Sequence, residues 1–351
     1  MKKAAYLTGT RAEFGLMQKI LKKIDSNSHF NLLLLATGMH LLPEFGQTIN
    51  EVKKEFPEVK IITATYEDDN RLSQARFLSQ CCRLVTETLQ QEKPDLVLVL
   101  GDRAEQLAMA QTAAYLAIPV IHLHGGEHTT TIDNKARNAI TMLADYHLPA
   151  TKKSAEKLIS MGIEANKIQV VGAPGLDEIK NLEKSEKKEF LVVLQHPDEQ
   201  EQDAAKQISS TLEATLSFNL PVKIIYPNSD PGGRQIIKVI QEYVKKYPDK
   251  FEALPNLIHE DYLKLLNQAQ ALIGNSSSAL IEAPSLGLAA VNIGPRQKGR
   301  EKAGNVIEAD YDEKTIIQAI KLALTKKLTG KDNPYGDGQT SQRVIKFLET
   351  L

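Results

Sequence analysis

One stretch in the first half of the chain gathers most of the residues that could carry acid–base chemistry or bind a metal. Three histidines and one glutamate fall within seven residues, and an acid–base pair follows: His122-Leu123-His124-Gly125-Gly126-Glu127-His128, then Asp133 and Arg137. The first two histidines alternate along a predicted strand, and nothing here matches HExxH or another zinc-binding spacing. The two glycines allow the backbone to approach a ligand closely, with Glu127 presented beside it. The pattern therefore favours an acid–base site over a metal site or a loop of exposed polar residues.

Other candidate residues directly follow predicted strands. Asp102 and Arg103 come after Leu96–Leu100, and His196 comes shortly after Phe190–Leu194. Because ligands of open α/β sheets bind beyond the carboxyl ends of the strands, these positions favour a role in function. The alternatives are that Asp102 caps the following helix and that His196 is a structural hydrogen-bonding residue. A catalytic His196 needs partners from a facing domain.

A run of small hydroxyl residues after another strand is the strongest anion signal: Gly274-Asn275-Ser276-Ser277-Ser278. Free amides and hydroxyls at the positive end of a helix suit a diphosphate. Glu282, further along the predicted helix, is within reach of a ribose diol, whose two hydroxyls a carboxylate accepts. Arg296 adds a basic loop after the next strand. The alternative is a serine helix cap with Glu282 facing solvent.

Two further strand-end turns could contact the same anion. Thr8-Gly9-Thr10-Arg11 can place helix amides and one guanidinium at a phosphate, although it is neither GxGxxG nor a Walker A sequence. An ordinary βα turn with a surface arginine is an equal alternative. Asn228, in Tyr226-Pro227-Asn228-Ser229-Asp230, occupies the place that corresponds to His196 one strand later.

Short apolar runs alternate with helical patterns, which indicates βαβ units and parallel sheets covered on both faces. The central run Leu96–Leu100 has no polar alternation, as expected of a strand buried on both faces. The predicted strands of the first half are Ala4–Thr8, Leu32–Ala36, Lys60–Thr65, Leu96–Leu100, Val120–Leu123, Tyr146–Leu148 and Ile168–Val171, with helices such as Glu13–Ile24, Ser73–Gln91 and Glu105–Ala117. The pattern restarts with strands Phe190–Leu194, Val222–Tyr226, Ala271–Ile273 and Ala290–Ile293.

The length of 351 residues suggests two domains. Gly172–Lys188 opens with Gly-Ala-Pro-Gly and ends in a charge run, which is typical of an interdomain connection. The predicted fold class is α/β, with two Rossmann-like doubly wound domains facing a cleft. The expected boundaries are 1–175 for a domain with the catalytic acids, 189–335 for a domain with the anion site, and 336–351 for a final helix that packs back across the hinge.

Composition restricts the class of protein further. Forty-three basic residues nearly cancel forty-four acidic ones, so no net charge calls for nucleic acid or an anionic membrane. No run approaches the roughly 18 apolar residues of a membrane span, and Ala4–Leu7 is too short for a signal sequence. The two cysteines, Cys81 and Cys82, are adjacent and cannot build a disulfide framework or a multi-cysteine metal site. We therefore expect a cytoplasmic protein.

Taken together, these motifs resemble the UDP-N-acetylglucosamine 2-epimerase family, especially its hydrolysing branch used in the biosynthesis of sialic and legionaminic-type acids. Similar segments cover nearly the whole chain in one order: TGTRAEFG, TGMHLLPEFG at 37–46, GDRAE, HLHGGE, the Asp133–Arg137 pair, GAPGLD at 172–177, QHP, GNSSS and NIGPRQKGR. The resemblance implies the glycosyltransferase-B architecture, in which two Rossmann-like domains grip a nucleotide sugar, and a homo-oligomer, either a dimer or a tetramer.

The resemblance also implies roles for individual residues. The family's acidic catalytic positions match Asp102, Glu127 and Asp133, and its active-site histidine matches His196. Positions that hold the UDP of the substrate match Arg11, Arg103, Asn228, Ser276, Ser277, Glu282 and Arg296. This chain departs from its relatives at Asn134, where many carry glutamate, and at Asn138, where hydrolysing relatives usually carry histidine; both departures bear on substrate choice or rate.

The implied reaction is the conversion of UDP-GlcNAc, or a 4-acetamido-4,6-dideoxy analogue, to UDP and the free 2-epimer of the ManNAc type. A base removes the C2 proton, UDP leaves to give a glycal, and water then adds with inverted configuration at C2. Arginines and helix amides can stabilise the charge that develops on the departing UDP, and no metal or redox cofactor is required. The alternatives are a non-hydrolysing UDP-GlcNAc 2-epimerase, a glycosyltransferase on the same fold, and a non-catalytic nucleotide-sugar sensor.

Overall fold

The computed structural model describes residues 1–43, 46–68, 70–129, 132–183, 185–186, 189–198, 203–227, 231–255, 257–328, 330 and 332–351. The chain divides into two compact units. The first unit consists of 1–127, 132–178 and 335–351, and the second consists of the described residues of 128–131 and 179–334. Within the described residues, no helix is both long and apolar enough to cross a membrane.

The first unit contains a six-stranded sheet whose strands are all parallel, in the order β3-β2-β1-β4-β5-β6. This is the order of a Rossmann domain, with the switch point between β1 and β4. Its strands are β1 Lys2–Thr8, β2 Phe30–Ala36, β3 Lys60–Ile61, β4 Leu96–Leu100, β5 Val120–Leu123 and β6 Tyr146–Leu148. Its helices are α1 Arg11–Asp25, α2 Ile49–Glu55, α3 Arg71–Glu92, α4 Ala104–Tyr115, α5 Asp133–Leu143, α6 Lys152–Ser160, α7 Leu176–Ile179 at the unit boundary, and α13 Thr340–Leu348.

The central strand β4 shows why both faces of this sheet must be covered. All five of its residues are buried. Leu96, Leu98 and Leu100 join a cluster with α1 and α13, whereas Val97 and Val99 join a second cluster with α3 and α4. Successive side chains of a strand point to opposite faces, so a run without polar residues needs an apolar layer on each side. The continuous apolar pattern of this strand is thereby explained.

The second unit repeats the same topology. Its parallel sheet has the order β12-β11-β10-β7-β8-β9, which is the Rossmann order with the switch point between β7 and β10. Its strands are β7 Leu191–Leu194, β8 Val222–Ile225, β9 Phe251–Leu254, β10 Ala271–Gly274, β11 Ala289–Ile293 and β12 Val306–Ala309. Its helices are α8 Ala204–Leu216, α9 Gly233–Lys246, α10 His259–Gln268, α11 Glu282–Ser285 and α12 Glu313–Thr325.

The structure corrects several element predictions. Ile168–Val171 is not a strand: Ile168 forms only an isolated bridge with His147, and Pro149, at the end of β6, has no N–H with which to continue the ladder. The strand predicted from Lys60 pairs only as far as Ile61. The edge strands β9 and β12 were not predicted, because each is four residues long and carries a glutamate. Such short, partly polar strands are common at the edges of sheets.

Candidate active site

Asp102 lies at the carboxyl end of β4, where Gly101 turns the chain with a φ of +70°. Its carboxylate accepts a hydrogen bond from Nη2 of Arg137 on α5. The Asp102 side chain is 18% exposed and that of Arg137 is 6% exposed, so the ion pair is largely removed from water. Asp133 begins the same helix, one turn before Arg137, and is half-buried. The neighbouring ends of β4 and α5 thus bring together residues that are far apart in sequence.

Glu127 follows β5 and is buried beside a neighbouring histidine. Its Oε1 lies 3.4 Å from Nδ1 of His124, and the two side chains are 4% and 12% exposed respectively. His124 adopts a left-handed φ of +61°, which is uncommon for a residue with a Cβ. Gly126 has a φ of +81°, and a Cβ there would lie 2.3 Å from the Ser154 carbonyl oxygen, so only glycine fits. The loop that carries Glu127 thus packs closely against α6.

His122 is completely buried on β5, and both of its ring nitrogens have protein partners. Nε2 lies 2.8 Å from the Gly101 carbonyl oxygen, and Nδ1 lies 3.2 Å from Oγ1 of Thr141. Burial lowers the pKa of His122 to about 3. In the part of the chain that the structure describes, no group of three or more histidine, cysteine, aspartate or glutamate side chains could hold a metal ion.

The turn after β1 is supported by two buried carboxyl groups. The Glu13 carboxylate accepts hydrogen bonds from the Tyr6 hydroxyl and the Gly9 amide, and burial, followed by the nearby Glu105 charge, raises its pKa. Nε of Arg103 donates to Oε1 of Glu105 at 2.8 Å. A Cβ on Gly9 would lie 2.2 Å from that same oxygen, so glycine lets the turn pack directly on the carboxylate. Arg11, the first residue of α1, forms an ion pair with Glu51 at 2.9 Å.

In the second unit, one asparagine joins the ends of β7 and β10 at the switch point. Oδ1 of Asn275 accepts from the His196 amide at 2.7 Å, and Nδ2 donates to the His196 carbonyl oxygen at 2.9 Å. Gly274 has a φ of +135°, and a Cβ there would lie 2.1 Å from the Leu194 carbonyl oxygen. His196 is thus held by its backbone, and its side chain is half-buried.

The serine run after β10 forms a 3₁₀ turn, Ser277–Ala279, where a longer helix was expected. Oγ of Ser276 accepts from the Ser278 amide, and Nη1 of Arg296 lies 3.4 Å from the Asn275 carbonyl oxygen, which places this arginine beside the turn. A 3₁₀ turn and a separate four-residue helix that begins at Glu282 replace the single longer helix. The helix dipole therefore contributes less to anion binding here than the sequence indicates. Asn228 lies outside the described residues.

The Glu282 carboxylate is buried at 4% exposure, contrary to the alternative in which it faces solvent. Within the described part of the chain, its Oε2 has no hydrogen-bond partner. Tyr262 on α10 lies nearby: burial, and then the charge of Glu282, raise the pKa of its phenol. A buried carboxylate oxygen without a partner is suited to accept a hydrogen bond from a hydroxyl group of a ligand.

Three residues at this edge of the first sheet have no individual role in the prediction from sequence: His122, His124 and Arg137. His124 and Glu127 form a pair, and Arg137 contacts Asp102, which lies 35 positions earlier in the chain. Spacing of three residues could have indicated the His124–Glu127 pair. No local signal could have indicated the Arg137–Asp102 contact, because it depends on the order of the strands.

Acidic and basic side chains thus lie at the carboxyl ends of parallel strands in both units, at or beside the switch points. This arrangement defines a doubly wound α/β protein with polar side chains at the sheet edges where such folds bind their ligands. The sequence profile of the family described as UDP-N-acetylglucosamine 2-epimerase matches residues 22–349. The chain belongs to this family, and the predicted resemblance is confirmed.

Individual relatives agree with this placement. The chain is 40% identical to the UDP-N,N'-diacetylbacillosamine 2-epimerase (hydrolyzing) of Legionella pneumophila, in an alignment that covers 100% of this chain and 96% of the relative. It is 31% identical to the GDP/UDP-N,N'-diacetylbacillosamine 2-epimerase (hydrolyzing) of Campylobacter jejuni, over 93% of this chain and 88% of the relative.

A solved structure shows the same fold. The UDP-GlcNAc 2-epimerase of Methanocaldococcus jannaschii in complex with UDP-GlcNAc and UDP matches with a TM-score of 0.84 at 20% sequence identity. The match covers 99% of this chain and 100% of that chain. The prediction of two Rossmann-like, doubly wound α/β units is confirmed. The expected cleft between them stays a prediction.

Proposed function

We propose that this enzyme is a hydrolysing 2-epimerase that acts on a UDP-linked N-acetylated amino sugar and releases UDP and the free 2-epimer. The observation that carries the proposal is the 40% identity, over the full chain, to a relative described as hydrolysing. The carboxylates and arginines at the carboxyl edges of the two sheets support it. They are the residue types that proton transfer at C2 and departure of a diphosphate require.

In this proposal the first unit carries out the proton transfers. Asp102, Glu127 and Asp133 are the acidic groups, with Asp102 held by Arg137 and Glu127 paired with His124. One base breaks the C2–H bond, and the electron pair forms a C1=C2 double bond as the C1–O bond to UDP breaks. Water then supplies oxygen to C1, and an acid supplies a proton to C2 from the opposite face. His196 in the second unit is the proposed active-site histidine.

The second unit binds most of the UDP in this proposal. Ser276, Ser277 and Arg296 contact the diphosphate, which suits the hydroxyls and the guanidinium beside the turn after β10. Glu282 accepts hydrogen bonds from the ribose hydroxyls through Oε2, the oxygen that has no partner among the described residues. Asn228, Arg11 and Arg103 complete the proposed UDP-binding set, and no metal or redox cofactor takes part.

UDP-N,N'-diacetylbacillosamine is the proposed substrate, because the relatives at 40% and 31% identity are named for it. UDP-GlcNAc, with ManNAc as product, is the second candidate. We further propose that the enzyme works in the cytoplasm, in the biosynthesis of sialic or legionaminic-type acids, as a dimer or tetramer. These finer assignments follow from the family resemblance.

Incubation in heavy water tests the reaction directly. Both candidate substrates are incubated with the enzyme, and the released sugar is examined by mass spectrometry and NMR. We expect free 2-epimer with one deuterium at C2 and one equivalent of UDP, because C2 is reprotonated from solvent. Protium retained at C2 would refute the mechanism. A product still linked to UDP would instead indicate a non-hydrolysing epimerase, and turnover only with an added sugar acceptor would indicate a glycosyltransferase.

Amide variants serve as the matched controls for this experiment. Asp102→Asn, Glu127→Gln and Asp133→Asn keep the shape of each side chain and remove its acid–base function. Each should lower turnover by about a hundredfold or more, the scale on which general acid–base catalysis contributes. The affinity for UDP should change much less, since these acids are assigned to the sugar.

A further inference from the structure

A single imidazole, that of His122, contacts the three segments that carry the proposed catalytic carboxylates. His122 is completely buried on β5. Its Nε2 lies 2.8 Å from the carbonyl oxygen of Gly101, the residue immediately before Asp102. Its Nδ1 lies 3.2 Å from Oγ1 of Thr141 on α5, the helix that begins at Asp133. Because these contacts involve both ring nitrogens, the ring is fixed in one orientation.

The third segment touches the same ring through a glycine. A Cβ built on Gly125 would lie 3.0 Å from Nδ1 of His122 and 3.3 Å from Oγ1 of Thr141. The backbone of the loop that leads to Glu127 therefore packs directly on the His122–Thr141 contact. A side chain at this position would therefore require the loop or the ring to shift by a few tenths of an ångström.

The partners also determine where the proton sits. The Gly101 carbonyl oxygen can only accept a hydrogen bond, so Nε2 must carry the proton and donate. Nδ1 is then unprotonated and accepts from the Thr141 hydroxyl. The ring is neutral in this arrangement, and burial, which lowers its pKa to about 3, keeps it neutral at any ordinary working pH. A neutral ring held by both nitrogens is suited to fix the distance between its neighbours and not to transfer a proton.

We propose that His122, together with Thr141, is a positioning residue that sets the relative placement of the Asp102, Glu127 and Asp133 segments. The inference rests on the proposed function, because it assigns the carboxylates to proton transfer at the sugar. A displacement of about 1 Å in catalytic geometry can cost about a hundredfold in rate, so a contact shared by three segments has a large effect on turnover.

Two variants each remove one of the two hydrogen bonds. His122→Asn retains an acceptor near the position of Nδ1 and loses the donor to Gly101, whereas Thr141→Val removes the hydroxyl with little change of shape. We expect each to lower kcat by about tenfold to a hundredfold while the dissociation constant for UDP changes by less than about twofold, which is about 0.4 kcal/mol. Thr141→Ser keeps the hydroxyl and should keep most of the activity.

His147 provides a matched control. It is 1% exposed on β6 and is the register partner of His122 in the same sheet, yet no hydrogen bond joins it to the three segments among the described residues. His147→Gln should lower stability without lowering kcat at a temperature where every variant is folded. An equal loss of kcat in His147→Gln and His122→Asn would overturn the proposal, because a general loss of packing would then explain both.

A double-mutant comparison identifies the residue through which His122 acts. In an Asp102→Asn background, adding His122→Asn should cost clearly less in kcat than it does in the wild-type background, because the misplaced carboxylate has already been removed. The same comparison is made in the Glu127→Gln and Asp133→Asn backgrounds, and full additivity in all three backgrounds would overturn the proposal. Failure of the proposed function is separable from this result: wild-type enzyme would then fail to release deuterated 2-epimer, whatever the His122 variants do. If His122→Asn does not fold, Thr141→Val and Thr141→Ser give the same test.

Discussion

The Glu282 side chain has one buried oxygen whose hydrogen-bonding state bears on ligand binding. The carboxylate is 4% exposed, and Oε2 has no hydrogen-bond partner within the described residues. Leaving a buried acceptor unsatisfied costs about 1–3 kcal/mol, and more when it is charged. A ligand hydroxyl that donates to this oxygen would recover that free energy, which is why the buried position favours ribose binding.

Glu282→Gln tests this role at the scale of one residue. The amide keeps the shape but removes the charge and one acceptor, so we expect the dissociation constant for UDP to rise by about tenfold or more, or about 1.4 kcal/mol. The thermal midpoint should stay the same or rise, because the unfavourable buried charge is removed. Calorimetric titration and thermal unfolding measure the two effects. Glu308→Gln, at a side chain that is 51% exposed in the same unit, is the control, and unchanged affinity in Glu282→Gln would contradict the ribose assignment.

At the scale of elements, Asp177 attaches the last helix to the body of the first unit. Oδ1 of Asp177 accepts from the Thr340 amide at 2.7 Å, and Oδ2 accepts from the Ser341 amide at 2.6 Å. The Ala173 amide donates to the Tyr335 carbonyl oxygen at 2.7 Å. The two Asp177 contacts satisfy amides at the start of α13 that have no partner within the helix, and they place a negative charge at its positive end. They explain why the GAPGLD segment carries an aspartate.

Asp177→Ala should selectively loosen α13. Loss of an aspartate that caps a helix costs about 0.5–2 kcal/mol, and the amides of Thr340 and Ser341 are left buried without a partner. We expect faster hydrogen exchange throughout α13, measured by mass spectrometry, while β4 keeps its protection. Asp337→Ala is the control: Asp337 pairs with Arg343 with its side chain 50% exposed, so its loss should cost less than about 1 kcal/mol. Equal effects of the two substitutions would show that Asp177 has no special role.

At the scale of the whole molecule, three buried histidines couple stability to pH. Burial is the main cause that lowers the pKa of His40 to about 4, of His147 to about 4 and of His122 to about 3. In the unfolded chain these groups take up a proton near pH 6.5. The unfolded state therefore binds more protons between pH 6.5 and about pH 4, and the free energy of unfolding falls as the pH is lowered through this window. Glu13, whose pKa is raised, acts in the opposite sense and reduces the total slope.

Urea unfolding measured from pH 7.5 to pH 5 should show this loss of stability below about pH 6.5. Each histidine contributes up to about 1.4 kcal/mol per pH unit once its unfolded form is protonated. His147→Gln should lower the free energy of unfolding at pH 7.5. It should also reduce the dependence of that free energy on pH by the contribution of one histidine. A slope identical to that of the wild-type protein would show that His147 is not held neutral by the fold.

Much of the architecture could be predicted from local patterns. The all-apolar run Leu96–Leu100 indicated a central strand, and the positions of Asp102 and His196 followed from the rule that ligands bind at carboxyl ends of parallel strands. The edge strands β9 and β12 and the 3₁₀ turn at Ser277–Ala279 could not be predicted, because short elements are stabilised by their neighbours more than by their own residues.

The sequence by itself determined two βαβ halves, the strand-end location of the candidate acids and the family resemblance, since hydrophobic periodicity and motif order are properties of the chain alone. Only the tertiary structure decided which distant groups meet: Arg137 with Asp102, and His122 with Gly101 and Thr141. The physical reason is that strand order brings together residues from separate βα segments. Burial there excludes water, so polar groups that are independent in the unfolded chain must satisfy one another in the folded one.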